Sequence, residues 1–269
     1  MIWVESFSHR VIWHLVFPSP WPMMVGLSVA GLAVGLSGLM NGHGGAQWAV
    51  ALGVVAVVWE AGLWGRDIVR EGVYEGVHSS GVMGSLRLGM VLFIVSELAL
   101  FGAFFWAYLD SALAPSVHIG CVWPPRGIAG VDVLGLPLVN TVALLASGAT
   151  LTAGHHSVVG ADKSRSLMWV AVTVALGVGF LGLQVAEYIE AGFSIGNGVY
   201  GACFYSMTGL HGVHVFGGLM YIIWGLNRLQ SASFSRQHHL QYECGAWYWH
   251  FVDVVWIGLY VLVYGWGSM

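Results

Sequence analysis

Between Arg87 and Asp110 the chain reads RLGMVLFIVSELALFGAFFWAYLD, an apolar stretch closed by a charge at each end and holding one acid, Glu97. From Leu88 to Leu109 there are roughly twenty residues, the length of an α-helix that crosses a bilayer core. At about 1.5 Å of rise per residue, Glu97 lies ~15 Å from Arg87 and ~20 Å from Asp110, near the middle of the hydrocarbon and out of reach of both. Its neighbours three and four positions away are Phe93, Ile94, Leu100 and Phe101, none of which can hydrogen-bond a carboxylate. An acid at that depth is pushed toward its neutral form unless another helix or water supplies a partner, so Glu97 is a candidate functional group and is expected to be protonated.

The rest of the chain keeps to the same solvent. Hydrophobic residues make up 57% and charged residues 8%, and the mean hydropathy is +0.76, which excludes a globule with a solvated surface and predicts an all-α polytopic membrane protein. A formal charge of -4 without a basic tract excludes nucleic acid as a partner. Cys121, Cys203 and Cys244 are too far apart for a paired metal or disulfide motif and read as packing residues. The opening MIWVESFSHRVIWHLVFPSPWP, with Glu5, His9 and His14 among its apolar residues, reads as an interfacial lead-in and not as a signal peptide. Trp3, Trp13 and Trp21 suit the headgroup layer, and Pro18, Pro20 and Pro22 are expected to hold the backbone extended until a helix begins.

Apolar periodic segments predict seven transmembrane helices, over about 23–40, 48–68, 88–109, 134–155, 167–188, 199–226 and 244–266. Gly31 and Gly35, and then Ala146, Thr150 and Gly154, are spaced for close helix contact. Arg10, Arg66, Arg70, Arg87, Lys163, Arg165, Arg228 and Arg236 fall at the amino-terminal end or beside the loops after helices two, four and six, and only Arg126 falls on the other side. That asymmetry places the amino terminus on the cytoplasmic side of a bacterial membrane or the matrix side of a mitochondrial one.

His211 and His214, one turn apart, are considered with His155, His156, His238, His239 and His250 as haem or copper ligands. Spacing alone supplies neither axial histidines on facing helices nor a converging set of three. The four at helix ends read as interfacial, and His211 and His214 as packing or proton-linked groups. Glu187, Glu243, His250 and Asp253 read as polar residues that pair between helices.

The blocks SELALFGAFFWAY, ALAPS, CVWPP, LVNTVALLASGATLTAGHHS, QVAEYIEAGFSIGNGVYGACFY, TGLHGVHVFGG and AWYWHFVDVVW, with PSPWP and RDIVRE before them, resemble subunit III of the haem-copper cytochrome c oxidases in order and spacing over nearly the whole chain. The resemblance implies seven helices arranged as two plus five with a lipid-binding cleft between, divided as residues 1–72 and 73–269. It implies a non-redox subunit with no catalytic residue and no metal of its own, bound phospholipids, and haem and copper in partner subunits. Subunit I would be the main partner, with other oxidase subunits around it, in an enzyme that reduces dioxygen with electrons from cytochrome c and pumps protons.

Matched by position, the resemblance makes Glu97 the family's buried glutamate in helix three, assigns Trp64, Arg66, Arg70, Glu71 and Arg228 to lipid contacts, and places His211, His214, Glu243, His250 and Asp253 inside the five-helix bundle. Gly65 and Cys244 depart from the family pattern, and so does the loop LQSASFS after Arg228, which weakens the lipid assignment on the Arg228 side. A compact chain of this kind suits an organelle-encoded subunit of the mitochondrial inner membrane with its amino terminus in the matrix; a bacterial plasma membrane is the alternative. A homologous quinol oxidase subunit is the nearest other reading. A stand-alone transporter built on Glu97 would carry inverted internal repeats, and a haem-binding electron carrier is a third reading.

Overall fold

A computed structural model describes His14, residues 16–231, Phe234 and residues 238–268. Trp3, Glu5, His9, Arg10, Trp13 and Arg236 lie outside the described residues. The described chain has seven long helices: α1 Trp21–Met40, α2 Ala46–Val73, α3 Ser80–Leu113, α4 Leu136–Val159, α5 Lys163–Glu190, α6 Gly198–Gln230 and α7 Leu240–Leu259. After α7 the helix widens into a π-turn segment, Tyr260–Gly265. Seven helices, the last counted through Gly265, are long and apolar enough to cross a membrane.

Most helices run past the expected ends. Hydropathy marks where the hydrocarbon stops, but backbone hydrogen bonding continues through polar residues at headgroup depth. Asn227 and Arg228 therefore belong to the last turn of α6, and Glu243 to the first turn of α7. At the other extreme, Pro22 does not hold the chain extended. It sits inside the first turn of α1, where its missing N–H would have had no partner anyway.

The chain forms two compact units, Met1–Leu86 and Arg87–Met269. In the first, α1 and α2 pack on each other through glycines. A Cβ on Gly35 would stand 3.1 Å from the Val50 backbone nitrogen, and one on Gly53 would stand 3.0 Å from the Leu32 Cβ, so backbone meets backbone at both places. Gly31 has open space around it and takes no part. The turn between the two helices uses Gly42 and Gly45 at φ 72° and 85°, a region costly for residues with a Cβ.

The second unit is a bundle in which α4 packs on α5 and α7, and α6 packs on α5 and α7. Its spine is an aromatic ladder on α7. Tyr242, Trp249 and Trp256 recur every seven residues, so they share one helix face. Each is buried, and each points its polar tip at α4. The Tyr242 hydroxyl donates to the Leu151 carbonyl at 2.9 Å, the Trp249 indole N–H to Ser147 Oγ at 2.8 Å, and the Trp256 indole N–H to Thr141 Oγ1 at 2.9 Å. The partners descend as the ladder ascends, which makes the two helices antiparallel.

Glycines give the rings their room. A Cβ on Gly177 of α5 or on Gly218 of α6 would come within 3.0 Å of the Trp249 ring. On α4 the small-residue seam uses Ser147, Gly148, Leu151 and Gly154, all buried, while Thr150 reaches Thr173 at 2.8 Å and Ala146 faces outward. Helix α3 joins this unit through side chains: Phe93 stacks on Tyr248, Phe105 packs at Gly258, and the Tyr108 hydroxyl donates to the Leu262 carbonyl at 3.3 Å. Cys244 is buried and Cys203 partly so, as packing residues should be, but Cys121 is exposed at φ 55° in the loop after α3.

Candidate functional site

Glu97 is not alone at mid-helix. Its Oε2 lies 2.6 Å from Nε2 of His214 on α6, and the two side chains are only 17% and 11% exposed. The neighbours along α3 offer no partner, and the partner comes from another helix, which the sequence leaves open. Phe101, on α3, packs edge-on against the His214 ring, and the Tyr248 ring lies beside it. These aromatic walls keep the pair dry on two sides.

The histidine's other nitrogen fixes what the pair can do. His214 Nδ1 is 2.7 Å from the Leu210 carbonyl, and a carbonyl can only accept, so Nδ1 carries a proton. Nε2 then has two options. A neutral imidazole accepts a hydrogen bond from a protonated Glu97, or an imidazolium donates to a Glu97 carboxylate. Both states are net neutral and differ only by moving one proton along a 2.6 Å contact. In either state the pair buries no net charge.

His211, one turn earlier on α6, faces elsewhere. It is fully buried between Phe180 and Trp256, with Nε2 3.2 Å from the Val252 carbonyl and Nδ1 without a partner. The two histidines therefore do not converge on a shared ligand.

Three further polar groups lie in the same bundle. Asp253 is buried on α7, 3.6 Å from His250 Nδ1, and His250 in turn meets Thr152 of α4 at 3.1 Å. Arg87 on α3 donates through Nε to Glu243 Oε2 at 2.9 Å, and the second carboxylate oxygen of Glu243 lies 3.3 Å from His239 Nε2. Glu187 is 2% exposed; it accepts from the Tyr264 hydroxyl at 2.5 Å and from Gln184 Nε2 at 3.0 Å.

This last network, with Asn140 beside Gln184, was the least legible in the sequence. Glu187 sits three residues from the end of α5, where an acid is ordinary, and only the packing of α7 against the bundle shows that it is enclosed.

In the first unit the assigned lipid residues gather at the far end of α2. Trp64, Arg66 and Arg70 are exposed. Arg66 is ion-paired with Asp67, whose other oxygen accepts from the Trp21 indole N–H at 2.6 Å and so ties the start of α1 to the end of α2. In RDIVRE, Asp67 stands next to Arg66 and one turn before Arg70, the signal in the sequence for such a link. Glu71 turns inward and meets His14 Nε2 at 3.2 Å. In the second unit, Arg228 is partly buried, donates to Gln241 Oε1 at 2.7 Å and lies over the Phe234 ring. Its Nε is buried without a partner.

Comparison with known proteins gives the context for this geometry. The sequence profile of the family described as Cytochrome c oxidase subunit III matches residues 11–268. The chain is 44% identical over 255 residues to cytochrome c oxidase subunit 3 of Prototheca wickerhamii, covering 95% of this chain and 97% of that one. It is 46% identical over 256 residues to the subunit of Branchiostoma lanceolatum, again covering 95% and 97%. The subunit of Ornithorhynchus anatinus is 45% identical over 256 residues with the same coverage.

Proposed function

The chain belongs to the cytochrome c oxidase subunit III family, and from that membership we propose that it acts as the non-redox subunit of a proton-pumping terminal oxidase, binding phospholipid and sustaining proton uptake by subunit I. The observation that carries the reading is the match over residues 11–268, which spans every long helix. Subunit I is its main contact and holds the haem and copper with its partners; this chain contributes no catalytic residue and no redox centre. The membrane is the mitochondrial inner membrane, with the amino terminus in the matrix, a reading supported by the arginine asymmetry and by relatives from animals and an alga.

The chain's own chemistry is then that of lipid and protons. Exposed Arg66 and Arg70 at the end of α2 suit headgroup depth, where each guanidinium has donors left for phosphate oxygens. The aromatic ring of exposed Trp64 suits the same layer. Arg228 supplies a third cation through the N–H groups that Gln241 does not occupy. Glu71 positions this end by holding His14. The Glu97–His214 pair tunes the bundle at depth and exchanges a proton within itself.

The lipid assignment is tested by replacing Arg70 and Arg228 together with alanine and reading phospholipid occupancy of the purified oxidase by native mass spectrometry. Occupancy falls in the double variant if these residues hold headgroups. Unchanged occupancy in an assembled enzyme overturns the assignment.

A further inference from the structure

The loops after α4 and α6 bring together three side chains that the oxidase reading leaves without a task. His155 stands just before the last turn of α4, His239 is the residue before α7, and Glu243 lies in the first turn of α7. One ligand atom from each lies within 4.8 Å of the other two. The geometry points to a binding site for a divalent borderline cation, zinc above all, held by His155, His239 and Glu243 at the bundle's loop end.

The donor set selects the ion. Two imidazoles and one carboxylate suit zinc, whereas calcium and magnesium demand a shell of oxygens. Zinc bonds of about 2.0–2.1 Å in a tetrahedron place neighbouring ligand atoms about 3.3–3.4 Å apart. One edge of that figure is already present, since His239 Nε2 stands 3.3 Å from Glu243 Oε1. The i, i+4 spacing of these two residues at the start of one helix fixes that edge before any ion arrives.

His155 closes the triangle from the other helix. Its ring stacks on Tyr242 and lies 5.2 Å, centroid to centroid, from the His239 ring. Its Nε2 is buried and has no hydrogen-bond partner, a cost that a ligand bond removes.

Arg87 completes the surroundings. By donating to Oε2 of Glu243 at 2.9 Å it leaves Oε1 for the cation and holds the carboxylate in one orientation, as outer partners of metal ligands do. The same guanidinium repels a dication, and three protein ligands leave a fourth position open. The site is therefore an exchangeable one, filled and emptied with the cation supply, and not a centre the fold requires. Zinc has no redox chemistry, so the chain's non-redox role is untouched. An ion here would join the end of α4 to the start of α7.

The test uses the whole oxidase. Purified complex is equilibrated with zinc chloride, its bound zinc is counted by mass spectrometry after desalting, and crystals or grids of the same sample are examined for the ion. The expected result is density, with anomalous signal at the zinc edge, about 2 Å from the three side chains. His155→Gln and His239→Asn complexes with normal haem content should each bind one zinc fewer than the unaltered enzyme. Equal zinc counts in those variants, or no ion at this position in the unaltered enzyme at saturating zinc, overturns the proposal. The second outcome decides the matter even if a variant fails to assemble.

Discussion

Glu97 and His214 are 117 positions apart in sequence and come from different helices, yet their 2.6 Å contact decides what either can do. Glu97→Gln keeps the size of the side chain and a donor for His214 Nε2, whereas Glu97→Leu leaves the imidazole facing a methyl group in a dry place. If the pair is structural, the Gln variant behaves as wild type and the Leu variant assembles poorly, because side-chain hydrogen bonds between membrane helices contribute about 0.6 kcal/mol on average and up to ~1.7. If its proton exchanges during turnover, both variants change proton uptake or shorten the working life of the enzyme. Infrared difference spectroscopy reads the proton's place: a protonated carboxyl stretch lost in Glu97→Gln puts it on Glu97, and a carboxylate signature puts it on the histidine. The mid-helix position of Glu97 was legible from one stretch of sequence. Its partner was not, because pairing between helices depends on their rotation about their own axes, which hydropathy leaves open.

The α7 ladder shows the same limit and its complement at the level of elements. Seven helices and their order follow from apolar runs of spanning length, and the seven-residue recurrence of Tyr242, Trp249 and Trp256 marks one face of α7 as special. What that face meets required the fold: it is α4, and the glycines of α5 and α6 frame the central ring. Ser147→Ala leaves the Trp249 ring in place and removes the acceptor of its indole N–H, an expected cost of about 0.6 kcal/mol. Gly218→Leu drives a branched side chain into a ring that a single Cβ already approaches at 3.0 Å. Overpacking of this kind costs about 1–3 kcal/mol and leaves the α6–α7 contact open. Thermal unfolding of the purified oxidase, followed by release of this chain, should show a small shift for the first variant and early release for the second. Equal behaviour of the two would mean that the ladder's hydrogen bonds, and not its close packing, hold the bundle. Gly31 is the instructive miss: it has the right spacing for a contact, but α1 and α2 meet one turn further along, at Gly35 and Gly53.

For the molecule as a whole, the apolar surface is the dominant fact. Large hydrophobic residues are exposed along α1, α2 and α3, among them Trp48, Trp59, Leu98 and Trp106, and such faces require lipid or other membrane helices around them. The second unit, by contrast, pairs several of its polar residues internally, among them Glu97 with His214, Arg87 with Glu243 and Glu187 with Tyr264. His211 and His214, one turn apart on α6, face different partners, the Val252 carbonyl and Glu97. The central claim is that this chain supports an oxidase without carrying its redox centres. Purifying the native complex through this chain in mild detergent, identifying its subunits and recording visible spectra before and after the chain is separated tests that claim most directly. The account predicts haem absorbance and subunit I in the intact complex and a colourless isolated chain; a Soret band or stoichiometric copper in the isolated chain would contradict it.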